Sequence, residues 1–363
     1  MSDRSIALAR CIVALALLVG VPTRTTNAQS ADLTGDFASA IVVSDLTNSY
    51  NNPIYAASVV SGSNYSGIAV LWFYSSGGTL LSGCTGSNLG GGRILTAAHC
   101  VSNGTSLTSA SVKARFYQVG SGWVEVTGPA SGYVVKPGYS GGVVEENDVA
   151  VLKLSSSAPS FARSYSLAAG NALGATEIFA GYGRTGTGNT GGTVSTIFTS
   201  NPPLRTGLNM FETTCISGSS ITCATSSNSA FGEFGGILLS DFDHTGASDA
   251  GFMCTTLHFC GLGYSGNEEV TIGSGDSGGA SFLSDFSITG VASFGQTNGS
   301  GIGGFFGYVE GHTCVTYYEA NGGCTSNYEF VAEQLAPEPA TIVLLGTGLI
   351  TAFGFARRRR RGA

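Results

Sequence analysis

The strongest constraint on this chain is the way its apolar residues are parcelled. From residue 67 to 154 they come in runs of five to nine, Ile68–Tyr74, Ser111–Val119, Trp123–Thr127 and Val149–Leu154, broken by Gly, Ser and Asn. Runs this short do not make useful helices; several alternate, and turn residues separate them, so they read as strands. Fifty-five glycines in 363 residues supply the turns, while 42% hydrophobic and 11% charged residues supply a buried core. The fold class that follows is all-β, built from antiparallel barrels.

Against that background one turn stands apart. Gly273-Ser-Gly-Asp-Ser-Gly-Gly279 holds Ser277. A lone serine among glycines is ordinarily a solvated turn, but here Gly275 lets the N–H groups of Gly275 and Ser277 converge on one small space. Each such donor is worth roughly 3 kcal/mol to a tetrahedral oxyanion. A serine hydroxyl is a poor nucleophile unless a base and an orienting carboxylate accompany it. Leu95-Thr-Ala-Ala-His-Cys100 offers His99, and Glu146-Asn-Asp-Val-Ala-Val-Leu-Lys-Leu154 offers Asp148.

Through these three motifs, in the order His, Asp, Ser, the chain resembles the trypsin/chymotrypsin family of serine peptidases over roughly residues 59 to 335. The resemblance implies two antiparallel six-stranded β-barrels packed face to face, meeting near residues 155–170, with a C-terminal helix over Asn327–Leu335. It implies His99, Asp148 and Ser277 as the triad and Gly275 and Ser277 as oxyanion donors. A short helical turn, Ala97–Val101, presents the histidine. Ser293 matches a serine beside the buried carboxylate, Thr271 the pocket base, and Gly295 and Gly304 its open walls. With no carboxylate at position 271, the pocket is expected to take an apolar side chain rather than Lys or Arg. Gly273 stands where the family has a pocket disulfide. The family's Ile-Val-Gly-Gly N-terminus is matched only partly, by Ile41-Val-Val-Ser44 and Val59-Val-Ser-Gly62, neither preceded by Lys or Arg.

Nine cysteines are present. Cys11 lies in an apolar run, Cys11–Gly20, behind Arg4 and Arg10, and small residues follow at Ala28 and Ser30, so residues 1–30 read as a secretory signal peptide. The other eight read as four disulfides of an exported protein, formally in 105 connectivities. Cys84 and Cys100 bracket the histidine where the family has a bridge; Cys215 with Cys223, Cys254 with Cys260, and Cys314 with Cys324 form near pairs. Without a CxxC or grouped histidines, no metal site is expected. Residues 31–58 read as a propeptide or irregular arm, and 186–268 as a Gly/Ser/Thr-rich insertion. Asp241–Asp249 begins like a calcium loop, but Phe252 replaces its closing glutamate, leaving an acidic turn. His244, His258 and His312 read as surface or loop residues.

Residues 337–363 differ in kind. Pro337-Glu-Pro339, seventeen apolar or small residues from Ala340 to Ala356, and Arg357–Arg361 resemble the PEP-CTERM sorting signal of Gram-negative bacteria, which an exosortase recognises. The span, about 25 Å as a hydrophobic tail helix, suits a transient inner-membrane tether with the arginines inside. Without the arginines and leader, residues 31–336 carry 21 acidic and 8 basic side chains, which argues against a nucleic-acid partner. The protease-like domain of residues 59–336 is thus expected to be a monomeric, cofactor-free serine endopeptidase acting on protein or peptide, periplasmic, surface-bound or extracellular. The competing expectation is a catalytically silent member kept as a binding or matrix protein.

Overall fold

The computed structural model describes residues 28–31, 41–43, 63–118, 120–187, 191–195, 197–216, 221–224, 235–242, 264, 269–297 and 308–336. Two short strands, β1 (Ala28–Ala31) and β2 (Ile41–Val43), come from the N-terminal segment. The first half then contributes β3 (Ile68–Tyr74), β4 (Leu80–Gly90), β5 (Arg93–Thr96), β6 (Ser111–Gln118), β7 (Gly122–Pro129), β8 (Tyr133–Val135) and β9 (Ala150–Lys153). They pair antiparallel throughout as a curled seven-stranded sheet, β7-β6-β3-β4-β5-β9-β8.

The second half contributes β10 (Thr176–Gly181), β11 (Thr185–Thr187), β12 (Gly191–Val194), β13 (Arg205–Met210), β14 (Thr213–Ile216), β15 (Ile221–Ala224), β16 (Ile237–Phe242), β17 (Val270–Thr271), β18 (Ala280–Phe282), β19 (Ile288–Thr297) and β20 (Tyr308–Cys314). Nine strands form the sheet β1-β15-β14-β16-β20-β19-β18-β10-β13, and four form β12-β11-β2-β17. The fold is therefore mostly β, two curled antiparallel sheets with one closing helix. The two larger sheets hold seven and nine strands rather than six each; β1 and the β14–β15 hairpin extend the nine-stranded one at one end. The arm is not wholly irregular: β2 lies parallel to β11 and antiparallel to β17.

One apolar cluster runs across both sheets. Ile68, Leu71, Phe73, Leu95 and Val151 of the first pack with Phe282, Ile288 and Val291 of the second and with Phe330 and Val331 of the helix α1 (Gly322–Leu335). That helix starts where Asn321 Oδ1 accepts the Cys324 N–H, an N-cap worth about 1 kcal/mol. Disulfides join Cys84 to Cys100, Cys215 to Cys223 and Cys314 to Cys324; Cys254 and Cys260, like the leader and the C-terminal tail, lie outside the described residues. Among the described residues no helix is long and apolar enough to cross a membrane.

The second sheet also buries charge-bearing groups. Glu177 on β10 is fully buried; its Oε2 accepts from Thr289 Oγ1 at 2.7 Å, and its Oε1 has no partner among the described residues. Burial dominates, and although the Thr289 bond pulls the other way, the carboxyl is pushed up to about 8. The folded chain thus holds a proton there that the unfolded chain releases at the ordinary value of 4.5, so stability falls as pH rises from 4.5 towards 8. We expect Glu177→Gln to flatten this decline; parallel melting curves for the two proteins between about pH 5 and 9 would refute the assignment.

Candidate active site

His99 is carried by the junction of β5 with a 3-10 turn, Ala98–Cys100. Cys100 is bonded to Cys84 on β4, which ties the turn to the sheet. Asp148 precedes β9 and is fully buried. Its Oδ1 accepts the backbone N–H of His99 at 2.8 Å, and its Oδ2 faces His99 Nδ1 at 2.7 Å. The Ser293 hydroxyl donates to the same Oδ2. A carboxylate opposite Nδ1 keeps the proton on that nitrogen and leaves Nε2 as the acceptor, on the 17% exposed side chain. Burial by itself would lower the imidazole pKa, but the charge and hydrogen bond of Asp148 outweigh it and raise it above 6.5.

The serine loop is held from within and from both sides. Asp276 Oδ2 accepts the Gly273 N–H and Oδ1 the Gly183 N–H, each at 2.7 Å. From the first sheet, Thr85 Oγ1 donates to the Gly275 carbonyl at 2.8 Å and Thr85 N–H to the Ser277 carbonyl at 2.9 Å. From the second, the Ala292 carbonyl accepts the Gly278 N–H at 2.8 Å. Gly275 and Gly278 have φ of 98° and 82°, and a Cβ on Gly278 would stand 2.0 Å from Thr96 Oγ1, so only glycine fits there. Among the described residues the N–H groups of Gly275 and Ser277 donate to nothing, and the Ser277 hydroxyl has no hydrogen-bond partner. Cys100 Sγ lies 3.7 Å from the Ser277 carbonyl oxygen, which sets the serine beside the histidine turn.

Two readings of the sequence need correction. Thr271 is fully buried, and its hydroxyl donates to Glu310 Oε2 at 2.9 Å. Glu310 also accepts from Ile272 N–H, Asn209 Nδ2 and Ser240 Oγ. A carboxylate therefore lies beside Thr271, brought there by β20 rather than by the residues near the serine. His312 is not a surface residue: it sits on β20, 1% exposed, with its ring 4.6 Å from that of Phe179 and 5.0 Å from that of Phe211. Asp241 belongs to the buried strand β16, and the rest of the acidic turn lies outside the described residues, as do Gly304, His244 and His258. Gly295 is buried within β19. Cys84, His99 and Cys100 cluster closely enough to suggest metal ligands, but the two sulfurs are bonded to each other and offer no thiolate. Thr85 escaped notice because nothing in its local sequence marks it; its role arises only where the sheets meet.

A family model described as trypsin matches residues 59–262, and one described as the PEP-CTERM protein-sorting motif matches residues 335–361. Among solved structures the chain is similar to one titled HL collagenase structure at 1.7 Å resolution, at 19% identity and a TM-score of 0.44, covering 78% of this chain and 98% of that one. It is also similar to a Glu endopeptidase in complex with MPD, at 18% identity and a TM-score of 0.40, covering 82% and 98%. No curated protein matches it. With more than half its length matched by the first of these models, the chain belongs to the trypsin family and carries a PEP-CTERM sorting motif at its C-terminal end.

Proposed function

We propose that this chain is an exported serine endopeptidase. The observation that supports it most is the pairing of His99 Nδ1 with a buried Asp148 carboxylate, beside a serine loop whose Gly275 and Ser277 N–H groups are unengaged among the described residues. In this reading His99 Nε2 takes the Ser277 proton as Oγ attacks the scissile carbonyl, then returns it to the leaving amine. Asp148 holds the tautomer and the transient imidazolium, while Ser293 steadies Asp148. Thr271, Ser293, Gly295 and Gly304 border the acyl-side cleft. Residues 1–30 serve as leader, 31–58 as arm or propeptide, 59–336 as the peptidase and 337–363 as the sorting signal, its tail tethering the chain until an exosortase-type enzyme processes it. The substrate is protein or peptide, and no cofactor is required.

The unbonded Ser277 hydroxyl favours the alternative, a silent trypsin-like binding protein. A serine-directed fluorophosphonate probe separates the two. We expect the exported protein to be labelled and Ser277→Ala not to be; a folded wild type that resists labelling would establish the binding reading.

The imidazole supplies a second test. Because Asp148 raises it, His99 should titrate above 6.5 in Ser277→Ala, followed by NMR, and base-dependent turnover should fall as pH drops through that midpoint. Adding Asp148→Asn removes both raising influences, so the midpoint moves down, and in the active enzyme turnover falls on the order of 10⁴-fold. A midpoint unmoved by Asp148→Asn would contradict the pairing.

A further inference from the structure

Helix α1 buries one stripe, Cys324, Asn327, Phe330 and Val331, and the amide in it is out of keeping with its neighbours. Asparagine is a poor helix former, and a buried amide is costly unless its donors are met. Asn327 is 1% exposed, yet it stands in the second turn, where a leucine would favour both helix and core. Its Nδ2 donates to the Glu146 carbonyl at 2.8 Å and to the Cys314 carbonyl at 3.0 Å. The first of these carbonyls lies two residues ahead of Asp148.

That segment needs outside support. β9 begins only at Ala150, so Asp148 precedes the strand pairing, and its own neighbourhood closes with local turn bonds, Asp148 N–H to the Glu145 carbonyl and Val149 N–H to the Asn147 carbonyl. Further donors come from the second half. Thr313 Oγ1 on β20 donates to the Asp148 carbonyl at 3.2 Å, and the Gly236 N–H, just ahead of β16, donates to Glu146 Oε1 at 2.6 Å. A Cβ on Gly236 would stand 3.4 Å from both Asn327 Nδ2 and Glu146 Cβ, so the helix, the aspartate segment and the start of β16 meet at one point.

The helix can serve as a support because it is itself fixed. Cys324 is bonded to Cys314 of β20, and Asn321 Nδ2 donates to the Gly235 carbonyl at 2.7 Å. From the first half, Lys136 Nζ donates to the carbonyl and hydroxyl of Ser326 at 2.8 Å and 2.7 Å, while the Lys136 N–H meets the Val149 carbonyl at 3.0 Å. Asn327 follows directly on this anchored turn. Resting on the peptidase reading above for what the pair is used for, we propose that Asn327 and Glu146 are positioning residues for the pairing of Asp148 with His99. The last helix and the residue ahead of β16 grip the chain just before the aspartate and so set how closely its carboxylate meets the imidazole. A donor stands among apolar side chains to serve that grip, not the helix.

The His99 midpoint, followed by NMR in full-length exported Ser277→Ala, reads the closeness of imidazole and carboxylate, because the charge and hydrogen bond of Asp148 are what raise it. In that background Asn327→Leu, which keeps the helix and much of the volume but removes the donor, should lower the midpoint, and Glu146→Ala should do the same. Glu146→Gln, which retains an acceptor for the Gly236 N–H, should recover most of the shift. Val331→Ala, one turn further along the same buried stripe, should melt earlier and leave the midpoint in place. In the active enzyme Asn327→Leu should cut kcat by on the order of 10²-fold, the scale of a slightly misplaced group, with KM little changed. A folded Asn327→Leu protein with an unmoved midpoint, or a Val331→Ala protein whose midpoint moves as far, overturns the assignment and leaves the peptidase reading standing. Should Asn327→Leu not fold, Glu146→Ala set against Glu146→Gln decides by the same criterion. A wild type that resists the fluorophosphonate probe counts against the peptidase reading alone, since the midpoint is measured without turnover and still decides the grip.

Discussion

Everything at this site depends on Thr85. Its N–H and its hydroxyl both cross from the first sheet to the serine loop of the second, and its carbonyl accepts the Thr96 hydroxyl at the root of the histidine turn. It also receives the Tyr182 N–H on Oγ1, so one fully buried side chain knits three segments. Such bonds contribute about 1 kcal/mol each on balance, but breaking one leaves a buried carbonyl without a donor and costs up to about 3. Its neighbour Cys84 holds the other end of the same arrangement by its bond to Cys100. Two consecutive residues of β4 thereby govern where histidine and serine stand relative to each other.

The two sheets are stabilised differently. The first buries mainly aliphatic and aromatic side chains, Ile68, Leu71, Phe73, Leu95 and Val151 among them. The second buries Glu177, Asp276, Glu310 and His312 as well. Removing a carboxylate from water is tolerable only when its oxygens are met, and Glu310 meets the condition with four donors drawn from β13, β16 and the segment at Thr271 and Ile272. Networks of this sort cost stability if any member is lost, yet they also tie several strands to one geometry. The ends of β13, β16, β17 and β20 converge on Glu310, and the serine loop leaves from that point.

How much of this was legible follows from what is local. The strands of the first half announce themselves through β-branched and aromatic runs with turn residues between them, and the His, Asp and Ser motifs carry their chemistry in a few adjacent letters. The near-paired cysteines at 215 and 223, and at 314 and 324, are likewise local, since a short loop leaves few partners. Harder was β4, eleven residues of Leu80–Gly90 with three glycines and two serines, whose extended state comes from pairing on both edges and not from propensity. His312 misled for a related reason: alternation along β20 turns residues 310 and 312 inward together, and only the pairing with β16 and β19 shows which way is inward. The parallel contact of β2 with β11 spans more than 140 residues and leaves no trace in either segment.

Gly275 links these levels. A positive φ of 98° already restricts the position to glycine, and the residue's N–H is one of the two that face the reacting carbonyl in the proposed chemistry. The space a side chain would need is also taken by Ile197, which the Trp72 indole holds from the first sheet. The serine loop is thus supported on one flank by Asp276 and on the other by a turn whose position depends on a cation between two indoles. Movement of that turn cannot be absorbed by the interior, which is close-packed, so it must be felt at the Gly275 backbone. The turn at 197–201 and the Gly275 backbone are therefore mechanically coupled, and changes in Arg115 or either tryptophan act on both.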